Sequence, residues 1–207
     1  MKKTIRFALL VVLLAVGGSL SAQTMINGGF KVMVLNNDQE EANAHLGFYA
    51  GFTQNVALSR HVGVAPGIYF SRTNGVSDQN IAAAGITYHK SLTENAIAVP
   101  VPMNVRIYFT DVSYMYIFAG PEFNVGITSK GEVWVDDSHI DTQYDSYEDG
   151  SMYERNRYNI SWIGGVGAKF DILNIVLGAS GNCFNRLYES KHTEKAVNVF
   201  AGIGLVF

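Results

Sequence analysis

Residues 97–109 read Ile97-Ala98-Val99-Pro100-Val101-Pro102-Met103-Asn104-Val105-Arg106-Ile107-Tyr108-Phe109, and every odd position is apolar. The even positions oppose them with Ala98, Pro100, Pro102, Asn104, Arg106 and Tyr108. A strand turns successive side chains to opposite faces, so this stretch has one continuous apolar face and one small, polar or charged face. The same period recurs. After Tyr114, the residues Met115, Ile117, Ala119, Pro121, Phe123, Val125 and Ile127 oppose Tyr114, Tyr116, Phe118, Gly120, Glu122 and Asn124. From Tyr158 to Phe170 the apolar set is even-numbered, and from Val197 to Phe207 it is odd-numbered. Shorter versions run over Gly28–Leu35, Leu46–Val56, Val62–Arg72 and Asn174–Asn185, which makes eight strands.

Most of these strands exceed the roughly 5 or 6 residues usual in a soluble sandwich. Strands of about 9 to 11 residues with an uninterrupted apolar face suit a barrel whose outside meets lipid. The charges agree, because Lys31, Arg106, Glu122 and Lys169 all fall on the opposite face. The expected fold is all-β, an eight-stranded antiparallel up-and-down transmembrane β-barrel. Short links are expected at 57–61, 110–113 and 171–174, and long loops at 36–44, 73–95, 128–157 and 186–194. Phe109, Phe170 and Phe207 end strands on the apolar face and should form one aromatic girdle, with Tyr158, Trp162 and Phe70 near the other. Pro100 and Pro102 lack ladder donors, so a bulge or loosened pairing is expected in strand four.

Composition fits. Charged residues are 16% of the chain, against about 25% in soluble domains. Glycine numbers 21 and aromatics reach 12%. One cysteine excludes a disulfide framework. A formal charge of −3 gives no reason to expect nucleic acid. The N-terminus is basic at Lys2, Lys3 and Arg6, apolar from Phe7 to Val16, and small-residued to Ala22. That is the pattern of an export signal, too short for a spanning helix. Cleavage is expected after Ala22, with Ser21 as the alternative, dividing the chain into a signal over 1–22 and a barrel domain over 23–207.

With Ser21-Ala22-Gln23, Ala98-Val99-Pro100-Val101-Pro102, Val105-Arg106-Ile107-Tyr108-Phe109, Phe118-Ala119-Gly120-Pro121-Glu122 and the terminal Phe207, the chain resembles the small outer-membrane β-barrel proteins of the Bacteroidetes type, including the PorT-like proteins. The resemblance spans roughly 28–207 and implies residence in the outer membrane. It also implies that Ile203, Leu205 and Phe207 are read by the barrel-assembly machinery. The alternative is that Phe207 is simply a girdle residue.

Chemistry is sparse. His89, Ser91 and Glu94 are the nearest approach to a triad, with no strand geometry behind them. Gly164-Gly165-Val166-Gly167 lies within a strand, where glycine makes room for large interior side chains rather than cradling phosphate. The acids of 128–157, among them Asp136, Asp137, Asp141, Asp145 and Asp149, lack EF-hand spacing. The same segment carries Trp134, Tyr144, Tyr147 and Tyr153, suited to contacting a surface protein or glycan. No catalytic, cofactor or metal residue is assigned. The inward charges should form a network in which Arg106, and Lys169 with it, share Glu122. Pairing about 110–113 would set Arg106 opposite Ile117. The expectation is a monomeric barrel in outer-membrane lipid, its lumen plugged, with a structural or interaction role through its loops. The alternatives are a PorT-like accessory role in protein secretion and a lipid-acting enzyme.

Overall fold

The structure, a computed structural model, describes residues 22–37, 40–81, 86–135, 138–148, 154–188 and 192–207. The signal segment up to residue 21 therefore lies outside the described residues. The strands are β1 (Ala22–Asn37), β2 (Glu40–Ala57), β3 (Val62–Val64), β4 (Gly67–Ile81), β5 (Ile86–Pro100), β6 (Met103–Tyr108), β7 (Tyr114–Val135), β8 (Ser138–Asp145), β9 (Tyr158–Phe170), β10 (Leu173–Asn182) and β11 (Glu194–Val206). All pairings are antiparallel, and β1 joins both β2 and β11, which closes the sheet. Because β2 pairs with both β3 and β4, and β7 with both β5 and β6, these short strands form two interrupted staves. The barrel thus has eight staves, with β8 an addition beside β7. Closure satisfies the backbone in hydrocarbon, where an open edge could not be hydrated.

Burial is inverted relative to a soluble domain. Among the described residues, eleven apolar residues are buried against nineteen polar or charged ones. Meanwhile Phe30 is 81% exposed, Ile107 67%, Ile203 64% and Phe207 72%. An apolar belt running round the whole barrel far exceeds the few hundred Å² a soluble monomer tolerates, so its solvent is lipid. Phe109, Phe170 and Phe207 stand outward at the end where β1 begins and β11 finishes, here called the lower end. Phe48, Phe70 and Tyr158 stand outward toward the upper end. Above them the outward face turns polar, with Arg72, Lys130 and Lys195 exposed.

The expected loops at 73–95 and 128–157 are largely strand. β2 pairs with β4 only as far as Asn74, and β9 with β7 only as far as Val125. Beyond those points β4, β5, β7 and β8 rise as a four-stranded wall on one side of the mouth. The first hairpin is also tighter than expected, since β1 runs to Asn37 and β2 starts at Glu40. Hydropathy hides such extensions because a strand wetted on both faces needs no apolar period. A register shift between Asn95 and Ala96 adds a residue to β7 near Ile127. Below it the even residues of β7 face inward; above it Ser129 and Gly131 are buried and Lys130 is exposed. The short link after β9 is a tight turn in which Asp171 takes the left-handed region (φ 54°), tolerated by its short polar side chain.

Candidate functional site

The inward side chains form three layers. The lowest is aromatic. Inward parity on β6 and β7 stacks Tyr108, Tyr114, Tyr116 and Phe118, with successive ring centroids 5.0, 5.9 and 6.0 Å apart. Glycine makes room for them: a Cβ on Gly167 would overlap the Tyr116 ring, and one on Gly165 would press on Phe118. Arg106 is buried among them, its guanidinium 5.5 Å from the Tyr114 centroid. Its Nε donates to Asn104 Oδ1 (2.8 Å) and its Nη2 to Asn55 Oδ1 (2.6 Å). Lys169 Nζ donates to the Val112 carbonyl at 3.1 Å and lies 5.6 Å from the same Tyr114 ring.

This corrects the expected sharing of Glu122. Arg106 lies opposite Tyr116, not Ile117, whose partner is Val105. The Thr110 hydroxyl accepts from the Val112 and Ser113 amides, while the Ser113 carbonyl receives both Phe109 and Thr110. That asymmetric turn moves the ladder by one residue. It also keeps parity, since directly opposed residues share a face and Ile117 faces lipid. Glu122 stands six residues beyond Tyr116, roughly 20 Å along the strand. The cations at the bottom are therefore satisfied by amide oxygens, a carbonyl and a ring face.

In the middle layer Glu122 accepts from Asn124 Nδ2 at 3.1 Å, and Asn124 also reaches Ser161 Oγ at 2.9 Å. Lys31 and Glu122 line one cavity of about 110 Å³ together with Tyr49, Tyr69, Phe118 and Phe200. The Tyr69 hydroxyl bonds to Thr53 and, at 3.1 Å, to Asn27. Tyr116 donates to Asn174 at 2.9 Å.

The upper layer was not foreseen. Glu94 pairs with Arg186, and Arg155 pairs with Glu194 at 2.5 Å. Arg186 Nε is 3.9 Å from Glu194 Oε1, which links the two pairs. Arg155 also donates to Ser129 Oγ at 3.2 Å. Glu94 lies one step above exposed Arg72, and Glu194 beside exposed Lys195, so this clamp sits above the lipid belt. Burial alone would push the Glu94 carboxyl up, but Arg186 and Arg155 outweigh it and hold it down at about 2. Glu194 is likewise lowered, burial being overcome by Arg155 and Arg186. Inward parity could have flagged Glu94 and Glu194. Arg155 and Arg186 sit in connections, where parity says nothing.

The remaining expected positions are dispersed. His89 stacks on Trp134, centroids 5.5 Å apart, while Glu94 is engaged inside the barrel, so His89, Ser91 and Glu94 form no triad. Tyr147 is buried over Gly126 with Arg157 against its ring at 5.4 Å; it is a lumen residue rather than a surface contact. Tyr144 packs over Gly131, and Trp134 stays on the wall. Tyr153, Asp136, Asp137 and Asp149 lie outside the described residues. Ile203, Leu205 and Phe207 point outward on the closing strand, where the Phe207 amide donates to the Thr24 carbonyl at 2.9 Å. Among the described residues no His, Cys, Asp and Glu group is arranged to hold a metal.

A closed β-barrel with a lipid-facing belt and a polar, charged interior is an integral membrane protein of the outer-membrane class. The chain belongs to the outer membrane protein beta-barrel domain family, whose model matches residues 14–182, and it resides in the outer membrane. No curated protein matches it in sequence. Among solved structures it is similar to Ail, the attachment invasion locus protein of Yersinia pestis, at 10% identity over 91% of this chain and 100% of that one, TM-score 0.48. It is also similar to Neisserial surface protein A, at 10% identity over 90% and 99% of the chains, TM-score 0.49. OprG from Pseudomonas aeruginosa gives 10% identity over 90% and 96%, TM-score 0.44.

Proposed function

We propose that the protein is a non-conducting, non-enzymatic barrel that acts through what it presents at its upper end. Two features support a closed lumen and carry this reading: the tyrosine stack with Arg106 and Asn55 lies across the bottom, and the Glu94–Arg186–Glu194–Arg155 clamp crosses the top. An eight-stranded barrel has an interior narrow enough for side chains to fill, which supports this reading. Purified protein in planar bilayers is expected to give no stable porin-like conductance. Reproducible large channels from a clean preparation would overturn the reading.

In this reading the signal ends at Ala22, the lower end is periplasmic, and the barrel is a monomer in outer-membrane lipid. Its assembly machinery reads Ile203, Leu205 and Phe207. The wall, with Trp134 and Tyr144, faces outward to engage a surface protein or glycan. An accessory part in protein secretion, as the PorT-like resemblance implies, is a narrower form of the same reading. Pull-down from membranes separates the two, since secretion components would be retained only in the narrower one. A lipid-acting enzyme has no support at His89 or Glu94, so lipid A mass profiles of a deletion strain should be unchanged.

A further inference from the structure

All four prolines of the chain lie in one patch of the wall. Pro66 interrupts the stave made by β3 and β4, Pro100 and Pro102 the stave made by β5 and β6, and Pro121 lies alongside on β7. The register is continuous through the patch, but each strand bond there runs one way. Gln54 donates to Pro66, Ala65 to Pro102 and Val101 to Pro121, at 2.8, 2.9 and 2.9 Å, and no proline nitrogen can return the bond. A missing donor inside hydrocarbon leaves its acceptor without water to turn to. Each pairing across this seam is short of one inter-strand bond.

The 110 Å³ cavity lies directly behind it: Ala65, Ala98, Pro100 and Pro102 belong to its lining. The rest of its lining mixes rings and apolar chains, such as Tyr49, Phe118 and Phe200, with polar ones, among them Asn27, Thr53 and Asn55. Along the barrel axis the aromatic stack lies below the cavity and the ionic clamp above it, and in the proposed reading these close the axial ways in. We propose that the cavity binds a neutral single-ring molecule carrying one hydrogen-bonding group, a phenol-like amphiphile, and that it enters from the bilayer through the proline seam. Three features argue for that class. A comparable empty apolar cavity of about 150 Å³ accepts benzene. Lys31 and Glu122 on the wall offset each other, so no net charge is selected. Polar side chains of the lining, Asn27 and Thr53 among them, offer a hydrogen bond.

The probe is 4-fluorophenol, followed by fluorine NMR on protein in lipid nanodiscs, against empty nanodiscs as the partition control. A distinct, saturable bound signal is expected, lost in Ala98→Leu, which fills the cavity. Thr53→Val should weaken 4-fluorophenol at least several-fold while leaving fluorobenzene unchanged. Heat-modifiable gel mobility checks that each variant is folded. Pro66 and Val101 are directly opposite, between hydrogen-bonded pairs and facing out, a geometry that accepts a disulfide. In a Cys183→Ser background, oxidised Pro66→Cys/Val101→Cys should exchange the probe at least ten-fold more slowly, with unchanged affinity, and reductant should restore the rate. A bound signal that survives Ala98→Leu, or no saturable signal at all, would overturn the site. Exchange indifferent to the disulfide would overturn the route. Neither result depends on the conductance measurement.

Discussion

Replacing Arg186 by Met should be the most damaging single change in the lumen. The Arg186 and Glu94 side chains are 6% and 11% exposed, and the Glu194 side chain 5%. Arg186→Met keeps the chain length and sets a thioether beside Met33, whose sulfur now receives Arg186 Nη1 at 3.6 Å. What it removes is the countercharge to two buried carboxylates. Breaking a buried pair by deleting one partner costs about 3–5 kcal/mol. The titration of Glu94 gives a similar figure: holding its carboxyl at about 2 rather than 4.5 corresponds to ~3 kcal/mol. A lowered carboxyl stabilises the fold fully above its unfolded value and loses that contribution as pH falls toward the folded one. Wild-type stability should therefore drop between about pH 5 and pH 2. Arg186→Met should lose that slope, and at pH 7 should unfold at lower urea by an amount equivalent to ~3 kcal/mol. The double variant Arg186→Met/Glu94→Gln should regain much of the loss, because no unpaired charge remains at residue 94. The assay is equilibrium urea unfolding in detergent micelles, followed by fluorescence of Trp134 and Trp162. A cost below about 1 kcal/mol for Arg186→Met, or no recovery in the double variant, would refute the assignment of a buried ionic clamp.

Other consequences can be read directly. Phe207→Ser should lower outer-membrane yield far more than Phe109→Ser if the terminal strip is read during assembly; equal losses would mean that girdle hydrophobicity alone matters. Gly167→Ala should destabilise by about 1–3 kcal/mol through collision with the Tyr116 ring, and Tyr116→Leu in the same chain should relieve part of it. Urea midpoints measure both, and a neutral Gly167→Ala would contradict the packing. In a Cys183→Ser background, Lys130→Cys places a thiol on the exposed outward face of β7 above the aromatic girdle. A membrane-impermeant maleimide should label it in intact cells, and labelling only after lysis would invert the orientation.

Within the membrane belt the fold was legible because alternation is a local property. Ile97 to Phe109, Tyr114 to Ile127 and Val197 to Phe207 each declare their lipid face without reference to a partner, and the glycines of β9 and β11 mark where inward rings must fit. Parity also placed Lys31, Arg106, Glu122 and Lys169 inside. It could not say which would meet, because meeting depends on register, and register depends on a turn. At 110–113 the Thr110 hydroxyl moves the ladder by one residue, and Arg106 ends up with Asn55 and Asn104 rather than Glu122. Above the belt the signal fades, since strands wetted on both faces carry no apolar period, and 73–95 and 128–157 read as loops. A single extra residue near Ile127 then exchanges the inner and outer faces of β7. The clamp depends most on the closed barrel. Glu94, Arg155, Arg186 and Glu194 come from β5, two connections and β11, and only the curvature of a closed sheet carries those distant segments across the same mouth.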